Sequence, residues 1–436
     1  VSFLSATDRF VNSRLSAKPA RQPSSFERKA GRLEYLTIMF IVSVYSGAIT
    51  PMLRHMQNDA PLLPGESDFA SSIIQWAALI IVAVWALLNF RRFLAMLKVI
   101  TPLVLVLALC FISIIWSSFP WVSLRRCVTL SVCMCYGIYM LDRLGLEGMI
   151  RLFVRTAVIL AVMSIFVYVA IPGVGRDSGE GYSNALRGVF AAKNGAGEAM
   201  MLAVPSILYL GSLRHASKWR TMLSLLLVFA TLALTRSATS SVLTVIVGTF
   251  GVRLWFRSPE MRLMHNAALA AVLLTVVFSL LFWPDEILLT LGRDPTLTGR
   301  IPLWEELFGS IAAQPFLGFG YSGFWNADSR RVQYLWQVIT WNAPNAHNGY
   351  IDLILQLGIV GLLLYLYVFW SILKQAVEHL RQETLPEASW ILLFMTCFLL
   401  LNLDEGPLPY IDEFMLFTVA SLLVVSAVPK QKSFPS

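Results

Sequence analysis

Charge is scarce in this chain. Asp, Glu, Lys and Arg make up 14% of its 436 residues, while hydrophobic residues make up 57% and mean hydropathy is +0.67. A soluble globular domain carries about a quarter charged residues, so that class is excluded. Cysteine is scarce too, with only Cys110, Cys127, Cys133, Cys135 and Cys397, all inside apolar runs. None has metal-ligand spacing and no pair stands where a disulfide would form, so they read as small apolar residues. Strand-like alternation is missing, which leaves an α-helical bundle as the way to satisfy backbone hydrogen bonds in lipid. There is no Walker-type loop and no Cys/His zinc pattern. Gly318-Phe319-Gly320-Tyr321-Ser322-Gly323 has dinucleotide-motif spacing, but it follows no strand and opens no βαβ unit.

What is present is a succession of apolar runs. A spanning helix needs about 20 such residues. Runs near 35–53, 72–90, 97–116, 124–141, 150–171, 196–213, 219–235, 239–256, 266–283, 350–373, 388–403 and 411–428 predict about twelve spans. The expected fold is therefore an all-α integral membrane protein with one large extracytoplasmic loop, residues 284–349. Residues 1–32 are basic, lack the apolar core of a signal peptide and are expected to form a disordered cytoplasmic tail. Residues 33–429 form the polytopic domain and 430–436 a second cytoplasmic tail. Alternating sides from an inner amino terminus puts about 23 of the 34 Lys and Arg inside, as the positive-inside rule requires. The net charge of +8 is thus a topology signal. Scattered over many short loops, it forms no patch for nucleic acid.

Topology narrows the search for chemistry. Of five histidines, His215, His265 and His379 fall inside, while His55 and His347 fall outside. His55 reads as an ordinary solvated loop residue. His347 stands in Asn345-Ala346-His347-Asn348-Gly349-Tyr350, where a hydrophobic run resumes. Arg125, Arg126, Arg187, Lys193, Arg236 and Arg300 share its side, several of them at span ends. Any one of these cations could snorkel to lipid phosphates. As a set on the side that disfavours positive charge, they point to an anionic ligand, since guanidinium forks match phosphate oxygens. Between 299 and 341 the loop holds Trp304, Tyr321, Trp325, Tyr334, Trp336 and Trp341. Aromatic faces flanked by Asn, Gln and Ser suit sugar rings, and this density inside a loop exceeds an interfacial belt. The outer acidic residues Asp404, Glu405, Asp412 and Glu413 read as partners of the arginines, as acceptor ligands or as solvated side chains.

At these residues the chain resembles the O-antigen ligase and polysaccharide polymerase superfamily. The pieces are Gly299-Arg300-x-x-Leu303-Trp304, Pro315-x-Leu317-Gly318-x-Gly320, and His347-Asn348 entering a helix with Gly358-x-x-Gly361. Arg187 to Lys193-Asn194 and Thr235-Arg236-Ser237 look most like the exopolysaccharide-polymerase branch. Ligases often carry Leu four residues after the outer-loop Arg, and here that position is Ala191. The resemblance implies a metal-independent, cofactor-free glycosyltransferase of the bacterial inner membrane, both termini cytoplasmic and its site facing the periplasm. Its substrate would be a polyprenyl-pyrophosphate-linked oligosaccharide within membrane lipid, with chain-length regulator and export proteins as partners.

In that reading His347 is the general base, and Arg187, Arg236 and Arg300 hold the leaving pyrophosphate with Arg125 or Arg126 in support. Lys193, Asn194 and Asn348 bind substrate, and Trp304, Tyr321 and Trp325 are sugar platforms. A ligase acting on lipid A core would use nearly the same residues. A transporter or flippase would instead show related halves, broken midplane helices and deep ionisable residues.

Overall fold

The computed structural model describes residues 30–57, 66, 68–177, 184–213, 215–255, 260–261, 264–265, 299–403, 405–406 and 413–427. The expected span at 266–283, the insert before 299, most of both tails, and Asp404 and Asp412 lie outside them, as does the Glu413 side chain.

The chain opens with α1 (Arg32–Tyr45), α2 (Thr50–Met56) and α3 (Phe69–Leu88), then α4 (Phe90–Val99) and α5 (Thr101–Ile112). The kinked α6 (Pro120–Ala170) follows, and then a two-stranded antiparallel ribbon, β1 (Arg176–Asp177) and β2 (Ala185–Leu186). Next come α7 (Lys193–Ser212), α8 (Lys218–Thr235) and α9 (Ala238–Val252). After the undescribed stretch stand α10 (Arg300–Ala313), α11 (Arg330–Ile339), α12 (Gly349–Gln382), α13 (Ala388–Leu401) and α14 (Glu413–Ala427).

The protein is an all-helical membrane protein. Among the described residues four helices are long and apolar enough to cross a bilayer, α3, α6, α8 and α12, or five if α4 and α5 count as one bent span. Three shorter apolar helices complete the set. The expected twelve are therefore not reached among these residues, and the reasons are local. The 35–53 run is broken after 14 residues of α1, about 21 Å, where Gly47 and Ile49 take positive φ and Pro51 starts α2. The 97–116 run is bent by 88° where α4 meets α5. The runs at 124–141 and 150–171 do form two helical limbs, counted above as the single helix α6 and separated at Gly145 (φ 65°, ψ 167°), each with the roughly 20 residues a span needs.

α6 is the central post. Its faces pack against α1, α3, α5, α7, α8 and α14, while α12 packs on α5, α13 and α14. Polar ties fix the helix ends: Arg143 donates to Glu34 at 2.7 Å, and Asp142 takes Arg92 at 2.5 Å and the Trp85 indole at 3.0 Å. His379 is fully buried, donating from Nε2 to the Val425 carbonyl and hydrogen-bonded through Nδ1 to the Thr384 hydroxyl, both at 2.7 Å.

From Gly299 onward the expected loop is a folded cap with its own apolar core, built on Leu303, Leu307, Phe324, Trp325, Val332 and Leu335. It is anchored at a break in α12. Gly358 adopts φ 65° and ψ −169°, and a Cβ there would overlap the Phe316 carbonyl group. The break exposes backbone donors, and the cap supplies acceptors. Ile359 donates to Pro315 at 2.9 Å, Val360 to Phe316 at 3.3 Å, and Phe319 donates back to Leu355 at 2.8 Å. Buried backbone groups must be paired, so the break in α12 and the Pro315–Gly320 turn specify each other. The break also separates a short first limb, 349–357, from a limb long enough to span.

Candidate active site

The first turns of α7 and α10 and the turn that precedes α12 meet at one side chain, Glu405, in the turn after α13. Its Oε1 accepts from the Arg300 guanidinium at 2.9 Å and from the Asn194 amide at 2.8 Å. Its Oε2 lies 3.2 Å from His347 Nδ1. The Glu405, Arg300 and His347 side chains are 9%, 14% and 20% exposed. Burial pushes the Glu405 carboxyl up, but His347 and Arg300 beside it win and hold it below the ordinary carboxylate range. An ionised carboxylate has no proton to give, so Nδ1–H donates to it and Nε2 is the ring nitrogen not engaged by Glu405.

Local structure delivers each partner. Arg300 is the first residue of α10, after Gly299 in the left-handed region. His347 has φ 47°, its N–H capped by the Asn345 Oδ1 at 2.8 Å. Asn348 caps α12, accepting from the Tyr350 and Ile351 amides at 3.0 and 3.1 Å and donating to the Leu403 carbonyl at 3.0 Å. Gly349 donates to the Asn402 and Glu405 carbonyls, stapling the 402–406 turn against the histidine. From the other side Asp352, fully buried, accepts from the Trp325 indole at 2.6 Å and the Ala346 amide at 3.1 Å. The Trp304 indole donates to the Ala346 carbonyl at 2.8 Å.

His347, Arg300 and Asn194 thus stand together, and the other expected cations are held by separate contacts. Lys193 is buried beside Asn194, its backbone amide on Asp177 at 3.3 Å. Arg236 is exposed in the left-handed cap of α8. The next residue, Ser237, packs with Ser240 on Gly197, one turn after Asn194. Arg187 is half-buried and donates to the Val174 and Gly173 carbonyls at 2.8 and 3.2 Å.

Other expectations are corrected. Tyr321 and Trp325 are only 1% and 6% exposed, so neither offers a ring face to a sugar. Trp304 ties α10 to the histidine turn, and Asn348 spends its amide on capping and stapling. Arg125 and Arg126 stand apart on α6; Arg126 donates to the Glu66 carbonyl at 3.3 Å and lines a cavity of about 220 Å³ with Tyr45, Ser71, Gln75 and Ser322. His55 is not a solvated loop residue. It is half-buried against the Ala191 backbone, and burial, with Arg187 nearby, holds its imidazole below the usual range. Among the described residues no three His, Cys, Asp or Glu side chains gather as metal ligands.

Of the three readings left open for Glu405 in the sequence, the structure realises the first, a partner of an arginine.

This geometry coincides with a family match. The O-antigen ligase family model matches residues 222–366, from α8 into α12, a stretch containing Arg236, Arg300 and His347. Residues 222–366 are thus similar to the O-antigen ligase family. The resemblance to the O-antigen ligase and polysaccharide polymerase superfamily extends to individual proteins. The chain is 26% identical over 151 residues to the exopolysaccharide production protein ExoQ of Rhizobium meliloti, covering 32% of this chain and 34% of that protein. Provisionally named polysaccharide ligases of Rickettsia typhi and Rickettsia felis are 24% and 26% identical over 112 and 117 residues, in each case 25% of this chain and 26% of theirs. The chain thus matches about a third of the ExoQ length and about a quarter of the ligases. Asn194 and Glu405 lie outside the matched domain, so the cluster joins the domain to helices on either side of it.

Proposed function

We propose that this chain is a glycosyltransferase that joins polyprenyl-pyrophosphate-linked oligosaccharide units into exopolysaccharide, working at the periplasmic face of a bacterial inner membrane. One observation carries the reading: a buried, ionised Glu405 holds His347 by Nδ1 and Arg300 by its guanidinium.

An acceptor sugar hydroxyl attacks the anomeric carbon of the donor glycan. A new C–O bond forms, the bond from that carbon to the pyrophosphate oxygen breaks with its electron pair, and the hydroxyl proton passes to His347 Nε2. Such general-base help is worth about 10²–10⁴-fold. Glu405 stabilises the imidazolium that forms and fixes the ring. The leaving pyrophosphate meets Arg300 and Arg236, with Lys193 and Arg187 in support. This surplus of positive charge over the carboxylates Glu405 and Asp177 favours the anion that develops. Holding two lipid-tethered substrates in register supplies a further share, about 7–11 kcal/mol where orientation is good. No metal takes part in this scheme.

The name of the domain favours a second reading, transfer of a finished glycan to lipid A core or another acceptor, by the same atoms. A transporter reading draws less support, since the fully buried Asp142 and Asp352 accept hydrogen bonds from indoles near helix ends.

The test is complementation of a polymer-deficient host with His347→Ala, scoring polymer, lipid-linked repeats and membrane abundance. Lost polymer with accumulating single repeats is expected at normal abundance. Accumulation of complete polymer on its lipid would favour the ligase reading, and normal polymer would remove His347 as the base.

A further inference from the structure

Beside the reacting cluster the cap carries a groove of about 350 Å³, lined by Gln333, Trp336, Gln337, Thr340, Trp341 and Asn342. Gln333, Trp336, Gln337 and Thr340 are spaced i, i+3, i+4 and i+7, one face of α11 and its cap. The adjacent face, Val332, Leu335 and Ile339, is buried in the cap core. Thr340 in the left-handed region (φ 65°) turns the chain so that Trp341 and Asn342 close one end. Trp336 is fixed by its indole N–H on the Ala343 carbonyl at 2.9 Å.

Trp341 is shared between groove and cluster. Its ring lies 5.9 Å from the His347 imidazole at 38°. Its indole nitrogen is 3.2 Å from where a Cβ on Gly299 would stand, next to Arg300.

The lining is two indoles, three carboxamides and a hydroxyl, with no charge. Arg331 on the same helix turns away, its guanidinium 4.6 Å over the Phe319 ring. An ion finds no counter-charge here, and a lipid chain would strand the amides unpaired. A pyranose fits both chemistries. Its C–H face covers an indole, and its hydroxyls both give and take hydrogen bonds, as Gln and Asn side chains do. We propose that this groove is the subsite for an uncharged stretch of the acceptor glycan, with Trp341 as the platform that delivers the terminal sugar to His347. The inference rests on the glycosyl-transfer reading above.

Plugging the groove without disturbing the core tests it. Gln337 is exposed on α11, and Tyr334, 60% exposed, stands on the neighbouring face. The native cysteines lie within helices, four of the five buried. Gln337→Cys and Tyr334→Cys are made in the full chain, in membranes that contain the host's lipid-linked repeats, and reacted with a bulky polar maleimide. Labelled Gln337→Cys should lose polymer formation tenfold or more relative to the same variant left unlabelled, while labelled Tyr334→Cys stays within twofold of the parent. Oligosaccharides cut from the host's own polymer should slow labelling at position 337 and not at 334. Full activity of labelled Gln337→Cys, or no protection, overturns the groove assignment. His347→Ala in the same membranes separates the two ideas: if it is inactive while labelled Gln337→Cys works, only the groove falls, and if it is fully active, the transferase reading falls too.

Discussion

Two buried carboxylates flank the 345–349 turn, and they are surrounded differently. Asp352 accepts from an indole and a backbone amide, groups that stay neutral. Glu405 accepts from a guanidinium, a carboxamide and an imidazole, and two of those three can carry charge. Asp352 therefore holds the shape of the turn, while Glu405 governs its charge. Burial alone does not separate a structural acid from a functional one; the donors around it do.

That contrast can be broken experimentally, most forcefully at Glu405. Glu405→Ala should cut transfer per folded molecule by about 10²–10⁴-fold, comparable with loss of a general base. Glu405→Gln should be nearly as inactive, because a neutral amide no longer stabilises the imidazolium. Transfer above a tenth of the parental rate in either variant would reduce Glu405 to scaffolding.

At Asp352 the loss should be of stability. Asp352→Ala leaves the Trp325 indole and the Ala346 amide buried without their acceptor, about 1–3 kcal/mol for each stranded group. Thermal unfolding in nanodiscs should show it, with activity per folded molecule falling less than at Glu405. Trp325→Phe removes one donor and should cost about 0.5–1.5 kcal/mol. A Trp325→Phe protein that is fully stable but fails to bind glycan would restore Trp325 as a sugar platform.

The smallest effect sharpens the contrast through pH. The Glu405 carboxyl sits lower in the folded protein than in the unfolded chain, so its contribution is complete above the unfolded value of about 4.3. It is lost as pH falls through the lower folded value. The stability difference between parent and Glu405→Gln should therefore hold steady from about pH 7 to 5 and shrink on further acidification. A difference that shrinks already near neutrality would show that His347 and Arg300 do not depress this carboxyl.

Much of the site could be read directly. A lone histidine where an apolar run resumes, and arginines on the side that disfavours them, singled out His347, Arg300 and Arg236 through residue type and position. Glu405 was ambiguous because an acidic turn in a loop is most often solvated, and nothing local says that three segments will close on it. The aromatics misled for a related reason. Tyr321 and Trp325 have the composition of sugar platforms, but whether a ring lines a groove or a core depends on which helix covers it. Trp336 and Trp341 carried the same signal with the opposite outcome.

Hydrophobic run length and charge bias, which are properties of single segments in lipid, determined the helical class, the membrane and the position of the polar cap. What only the tertiary structure decided is where segments stop and what they meet: the breaks at Ile49, Ile100 and Gly358, the docking of Pro315–Gly320 into α12, and the meeting of residues 194, 300, 347 and 405. Those outcomes rest on backbone groups exposed by a break and on one carboxylate whose donors come from as far as 211 positions away in sequence. Each local segment is compatible with many partners, and only packing selects one.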